Sequence, residues 1–284
     1  GMVAISTALI KDSYEGKAMS KVLSVTQAFM LIAPMLAPVL GAIILKFADW
    51  KMTFIVLAII TGVSLTGAFL LQETLPVKER TQSSTIQTIL GLRKVAKNPN
   101  FSSLLLVGAL IAAPFMAYLA LASYIYIDGF GVSETTFSMY FASNAAASIL
   151  GPIMYMRFGA GSVKKVINVG IIVAIISAIL ILTVGNASPI IFLLSYVLYS
   201  IMTSYFRPLI SDLLLSSTKT DVGAASSVMN FGFTVIGSIG MVVGSLQWSS
   251  YTGGLAITML IFIALTTTVW FYLLKAKSIR FDWK

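Results

Sequence analysis

LIAPMLAPVLGAII, residues 31–44, sets Pro34 and Pro38 four positions apart inside an otherwise apolar run. In a helix interior a proline lacks the N–H that the carbonyl four residues earlier needs, so Pro38 would deprive Pro34 itself of its donor. In hydrocarbon that carbonyl must find another partner or face a cavity lined by protein. The small residues Ala33, Ala37 and Gly41 alternate with bulkier ones, a composition that lets helix backbones approach closely. The stretch therefore reads either as a kinked, tightly packed span or as a functional bend.

The surroundings settle the class. The chain of 284 residues is 58% hydrophobic and 10% charged, with a mean hydropathy of +0.94. Eight runs approach the roughly 20 residues that cross a hydrocarbon core. They lie near Val22–Leu45, Met52–Leu71, Phe101–Ile127, Thr135–Met156, Val166–Val184, Pro189–Leu215, Ala224–Leu246 and Gly254–Leu274. This predicts an all-α integral membrane protein with eight full transmembrane helices. Ahead of them GMVAISTAL is an apolar run that stops at Lys11, too short to cross. It lacks the charge and cleavage pattern of a signal peptide. The expectation is the end of one more helix, with an expression scar as the alternative.

Net charge is +9, but the distribution of the cations matters more than their sum. Sixteen of the 19 Lys and Arg residues fall in alternate connections and the C-terminal tail, Lys46 and Lys51 fall in the others, and Arg207 sits within a span. That alternation predicts that the basic loops and the C-terminus are cytoplasmic, with no need for a nucleic-acid partner. The chain has no cysteine and no histidine, which removes thiol chemistry and the commonest metal ligand. No phosphate-binding loop or nucleophile elbow is present, so ATP-driven transport and enzyme readings find no support. No ring of pore-lining polar residues argues for a channel.

The longest polar stretch, QETLPVKERTQSSTIQTILGLRKVAKNPN, separates two spans from six and reads as a linker between bundles. Within it a short amphipathic helix is expected along the membrane surface, with Ile86, Ile89, Leu90 and Val95 on one face and Arg93, Lys94 and Lys97 on the other. Charge inside a span is costly and points to function. Arg207 and Asp212, near the cytoplasmic end of their span, are expected to pair or to gate that side; snorkelling of Arg207 to headgroups is the plain alternative. Phe115, Met116, Tyr118, Asn144, Tyr199, Met202, Asn230 and Phe233 lie at mid-depth of the later spans and are candidate substrate contacts. Aromatics and methionine suit variable apolar cargo, although packing explains such residues as well. Asn144 and Asn230 stand out because a mid-depth amide needs a partner.

The segment from Lys11 to Pro76 resembles the fourth-to-sixth helix region of the major facilitator superfamily, and more narrowly its bicyclomycin and chloramphenicol resistance (Bcr/CflA) branch of drug:proton antiporters. The matching residues are Ala33, Pro34, Leu36, Ala37, Pro38, Leu40 and Gly41 for the antiporter motif, and Asp12, Tyr14, Glu15 and Gly16 after the fourth helix. Trp50 to Phe54 and LQETLP resemble the start and end of the sixth helix. A second-half loop motif keeps Arg157, Gly159, Lys164 and Lys165, but Met156 stands where an aspartate is expected.

The resemblance implies a twelve-helix fold of which this chain holds the fourth through twelfth helices. Residues 1–75 would end the N-terminal bundle, 76–100 form a cytoplasmic linker, 101–275 the C-terminal six-helix bundle and 276–284 a cytoplasmic tail. It further implies a monomeric secondary transporter of the bacterial inner membrane. Such a protein exports drugs or other amphiphilic small molecules in exchange for protons, with no cofactor beyond the proton gradient. A sugar or metabolite permease and a transport-inactive remnant are the competing expectations.

Overall fold

A computed structural model describes residues 37, 40–70, 85–158, 162–216 and 222–275, and among these there is no strand. After the helical residues 40–47, the described residues form in order α1 (Trp50–Leu70), α2 (Thr85–Ala96), α3 (Pro99–Ser123), α4 (Glu134–Ser148), α5 (Leu150–Phe158), α6 (Val163–Thr183), α7 (Pro189–Ser216), α8 (Val222–Gly244) and α9 (Tyr251–Lys275). A wider-wound turn, Tyr124–Gly129, extends α3, and Gly131 then takes a left-handed conformation at φ 69° that glycine adopts without a Cβ clash. Six helices among the described residues are long and apolar enough to cross a membrane: Trp50–Leu70, Pro99–Gly129, Val163–Thr183, Pro189–Leu214, Gly223–Gly244 and Tyr251–Lys275. The 21 residues of α1 reach roughly 30 Å.

Two expected spans fare differently. Of Val22–Leu45 only residue 37 and residues 40–45 are described, and 40–47 are helical. The expected Thr135–Met156 span is broken at Ile149 into α4 and α5. Pro152 is the cause: it offers no N–H to the Ser148 carbonyl, and the preceding Gly151 is a poor helix former. The chain tightens there, with Ile149 N–H donating to the Ala146 carbonyl at 3.2 Å.

The chain divides into two compact units, 1–84 with 134–142, and 85–133 with 143–284. In the first, α1 buries no side chain, and Leu57, Val63 and Phe69 are exposed. Its hydroxyls are closed off within the helix: Thr61, Ser64 and Thr66 each donate to the carbonyl four residues back at 2.8 Å. An apolar helix with its polar hydrogens satisfied internally suits a lipid solvent.

In the second unit α3 is the central element and packs on α7, α8 and α9. It is capped by Asn98, whose side chain accepts from the N–H groups of Asn100 and Phe101, with Pro99 at its first position. The seam with α8 is built from small residues. A Cβ added at Gly240 would lie 2.4 Å from the Ala113 carbonyl oxygen, and one at Gly244 would lie 3.0 Å from the Ala117 Cβ. Elsewhere polar pairs join the helices: Trp270 Nε1 donates to Asn168 Oδ1 at 2.9 Å between α9 and α6, and the Ser177 hydroxyl donates to the Ser195 carbonyl at 2.6 Å between α6 and α7.

A helix, α2, forms in the segment expected to be the linker, but its faces differ from the expected grouping. Leu90 lies three, four and seven residues before Arg93, Lys94 and Lys97, so it shares their face, and it is exposed. Val95, on the other side, is the buried residue. The side chains of Ile86 and Ile89 lie outside the described residues.

Candidate functional site

The polar features of the second unit gather along the line where residues 143–158, the end of α4 and α5, meet α7. The Ser148 and Ser200 hydroxyls are 2.6 Å apart. One turn before Ser148, Asn144 is buried and its Oδ1 has no hydrogen-bond partner among the described residues. Beyond the break, Gly151 meets the α7 backbone so closely that a Cβ would come within 2.5 Å of the Ile201 carbonyl oxygen and 2.6 Å of the Tyr205 nitrogen. Further on, the Tyr155 hydroxyl donates to Asp212 Oδ2 at 3.0 Å. Partners rise together along both segments, so residues 148–155 and α7 run parallel.

Of the residues expected to pair or to gate the cytoplasmic side, Asp212 is bonded to Tyr155 across the helices, and Arg207 is exposed, its carbonyl accepting from the Ser211 hydroxyl at 2.8 Å. Five residues apart on a helix, the two side chains point in different directions. Arg157 lies exposed in the last turn of α5. Asp12, Glu15, Ala33, Pro34 and Pro38 lie outside the described residues, whereas Ala37 is helical and exposed and Gly41 has nothing within 4 Å of an added Cβ.

The candidate substrate contacts are distributed over several helices. Tyr118 stacks on Tyr196 at 4.0 Å between ring centres, within an aromatic ladder through Phe192, Tyr126 and Phe130 where α3 meets α7. Tyr199, next to Tyr196 in this ladder, donates its hydroxyl to the Ile111 carbonyl, close to Pro114, which leaves the Leu110 carbonyl without a helical donor. Phe115 and Phe233 are half-buried, and Met116 packs beneath Gly237. Asn230 is exposed, with its amide donating to the Ser226 carbonyl of its own helix at 2.9 Å. A small, partly open cavity of about 10 Å³, room for about one water, is lined by Tyr199 and Met202 but by none of the other expected contacts. Phe192, Tyr196 and Tyr126 were not singled out from the sequence; the spacing of 192, 196 and 199 along one helical face is the signal that finds them.

Tyr199→Phe is expected to lower stability by about 0.5–1.5 kcal/mol, the worth of one internal hydrogen bond, measured as a shift in the thermal midpoint of the detergent-solubilised chain. An unchanged midpoint would show that the Ile111 carbonyl is satisfied without it.

No group of three or more acidic, cysteine or histidine side chains able to hold a metal ion occurs among the described residues. The family model of the Major Facilitator Superfamily matches residues 1–241. The chain belongs to this superfamily. Its members are membrane transporters and not enzymes, in keeping with the all-helical, multi-span architecture. Among similar proteins, the uncharacterized MFS-type transporter YdgK of Bacillus subtilis is 30% identical over 244 residues, covering 84% of this chain and 60% of that protein. Multidrug resistance protein MdtM of Salmonella typhimurium is 23% identical over 82% of this chain and 57% of its own length. A bicyclomycin resistance protein homolog of Haemophilus influenzae is 29% identical over 55% of this chain and 39% of its own length. The chain thus spans about 60% of the length of the first two superfamily relatives.

Proposed function

We propose that the chain is part of a proton-coupled exporter of drugs or similar amphiphilic small molecules in the bacterial inner membrane. Its helices would correspond to the fourth through twelfth of the fold, and its C-terminus would face the cytoplasm. The observation that carries this reading is the superfamily match over residues 1–241, together with relatives named for multidrug and bicyclomycin resistance. Two bundles would rock about a central binding site to give alternating access. In that motion the parallel contact of residues 148–155 with α7 would serve as one moving element. The Tyr155–Asp212 bond would hold its cytoplasmic end, because Asp212 is a carboxylate placed inside an apolar span and bonded to a neighbouring helix.

The test is drug-stimulated proton release from energised inverted vesicles carrying the whole open reading frame that contains this sequence, with this chain alone in parallel. Proton release and efflux on adding an amphiphilic cation support the reading. Uptake of a sugar without drug response favours a permease, and transport by neither product means a remnant. In an active frame, Asp212→Asn and Tyr155→Phe are each expected to slow efflux about three- to ten-fold, and the double variant no further than either, since all remove the same charge-assisted bond. Additive losses would separate the two residues.

A further inference from the structure

We propose that the corner between α2 and α3 binds the headgroup phosphate of an anionic membrane phospholipid. Leu90, Arg93, Lys94, Lys97 and Asn98 line one shallow, open depression of about 370 Å³, whose lining holds three cations and no carboxylate. All three cationic side chains are exposed. Their spacing of three, four and seven from Leu90 sets them on one helical face over two turns.

The corner is held in shape before any ligand arrives. Buried Val95 docks the opposite side of α2, which packs on both α3 and α8. The Asn98 side chain accepts from Asn100 and Phe101 N–H at 3.1 and 3.4 Å, and the Ser102 hydroxyl donates back to the Ala96 carbonyl at 2.5 Å. The cations are therefore presented by a fixed turn and not by a loose tail, which reduces the ordering that binding requires.

Depth identifies the occupant. The membrane-spanning helix begins at Pro99, directly after the depression, so Arg93, Lys94 and Lys97 stand at the level of a bilayer interface, where lipid phosphates lie. Leu90, 53% exposed beside them, offers an apolar surface to the glycerol and upper acyl region. A dissolved phosphate uses the cations alone; a lipid uses both. A zwitterionic headgroup carries its own cation against its phosphate, so an anionic lipid is preferred. This proposal rests on the chain spanning a membrane and not on what it transports.

The test is native mass spectrometry of the full chain in neutral detergent, titrated with dioleoylphosphatidylglycerol or dioleoylphosphatidylcholine. One tight phosphatidylglycerol adduct is expected, and Arg93→Gln/Lys94→Gln/Lys97→Gln should weaken it about ten-fold, to the level of phosphatidylcholine. Lys164→Gln/Lys165→Gln, at the start of α6, should leave it unchanged. Leu90→Ser, which alters no charge, should weaken it as well. If the triple variant does not purify as a helical protein, Lys97→Gln alone should show a smaller loss in the same direction. Wild-type retention by the α2 variants overturns the proposal, as does an equal loss in the α6 variant, which would mean nonspecific charge attraction. Full displacement of the lipid by inorganic phosphate at matched concentration also overturns it, since the site would then take a free anion.

Discussion

Gly240→Val is expected to pry α3 from α8 and lower the thermal midpoint of the solubilised chain, at a cost of about 1–3 kcal/mol or more. The Cβ it introduces would lie 2.4 Å from the Ala113 carbonyl oxygen and 2.9 Å from its carbon. These are backbone atoms, and they cannot swing aside as the end of a long side chain can. Neighbouring turns are nearly as tight, with Gly237 2.8 Å from the Met116 Cγ and Gly244 3.0 Å from the Ala117 Cβ when a Cβ is added. In hydrocarbon no water is released when helices meet, so their association depends on close packing, which the valine removes. Gly62→Val on α1 is the control, because nothing lies within 4 Å of its added Cβ. Tryptophan fluorescence during heating measures both, since Trp270 is fully buried at the α6–α9 contact and changes environment when the bundle opens. A Gly240→Val midpoint equal to that of wild type would refute the α3–α8 seam.

On the proposed drug-export reading, Pro38→Ala, made in the whole reading frame, is expected to reduce drug resistance to the level of an empty vector while the protein stays in the membrane at normal abundance. In a helix, proline costs about 3 kcal/mol relative to alanine, so the substitution favours a regular helix at this position. Loss of transport from a more regular helix would assign the pair Pro34 and Pro38 to function and not to stability. Growth inhibition by drug, immunoblotting of membranes and proton leak across inverted vesicles provide the three readings. If the antiporter motif shapes a seal, leak rises as resistance falls. Unchanged resistance would leave the prolines with a packing role alone.

These two substitutions divide the molecule by where its information resides. Pro34 and Pro38 are legible from residue type, because a missing N–H in an apolar run has consequences whatever surrounds it. The same holds for the membrane class, for the alternation of cations that predicts topology, and for the linker helix. The break at Ile149 was also written in the sequence, as Gly151-Pro152, but a run that remains apolar throughout conceals it from hydropathy.

Gly240 is one of 21 glycines, and nothing in its neighbours marks it as the one pressed against a carbonyl while Gly62 and Gly67 stand open. Asn230 stands out from Tyr118 by its amide at mid-depth, yet it is exposed with that amide bonded to its own helix, while Tyr118 lies in an aromatic stack. Leu90 was grouped with Val95 and shares its face with three cations instead. Sequence determined which segments are apolar enough to lie in a membrane, because transfer to hydrocarbon depends on the summed composition of a run. Only tertiary structure decided which face of each helix meets which neighbour. A span apolar on every side has no preferred face toward lipid, so its rotation and spacing are set by the fit of one helix surface against another.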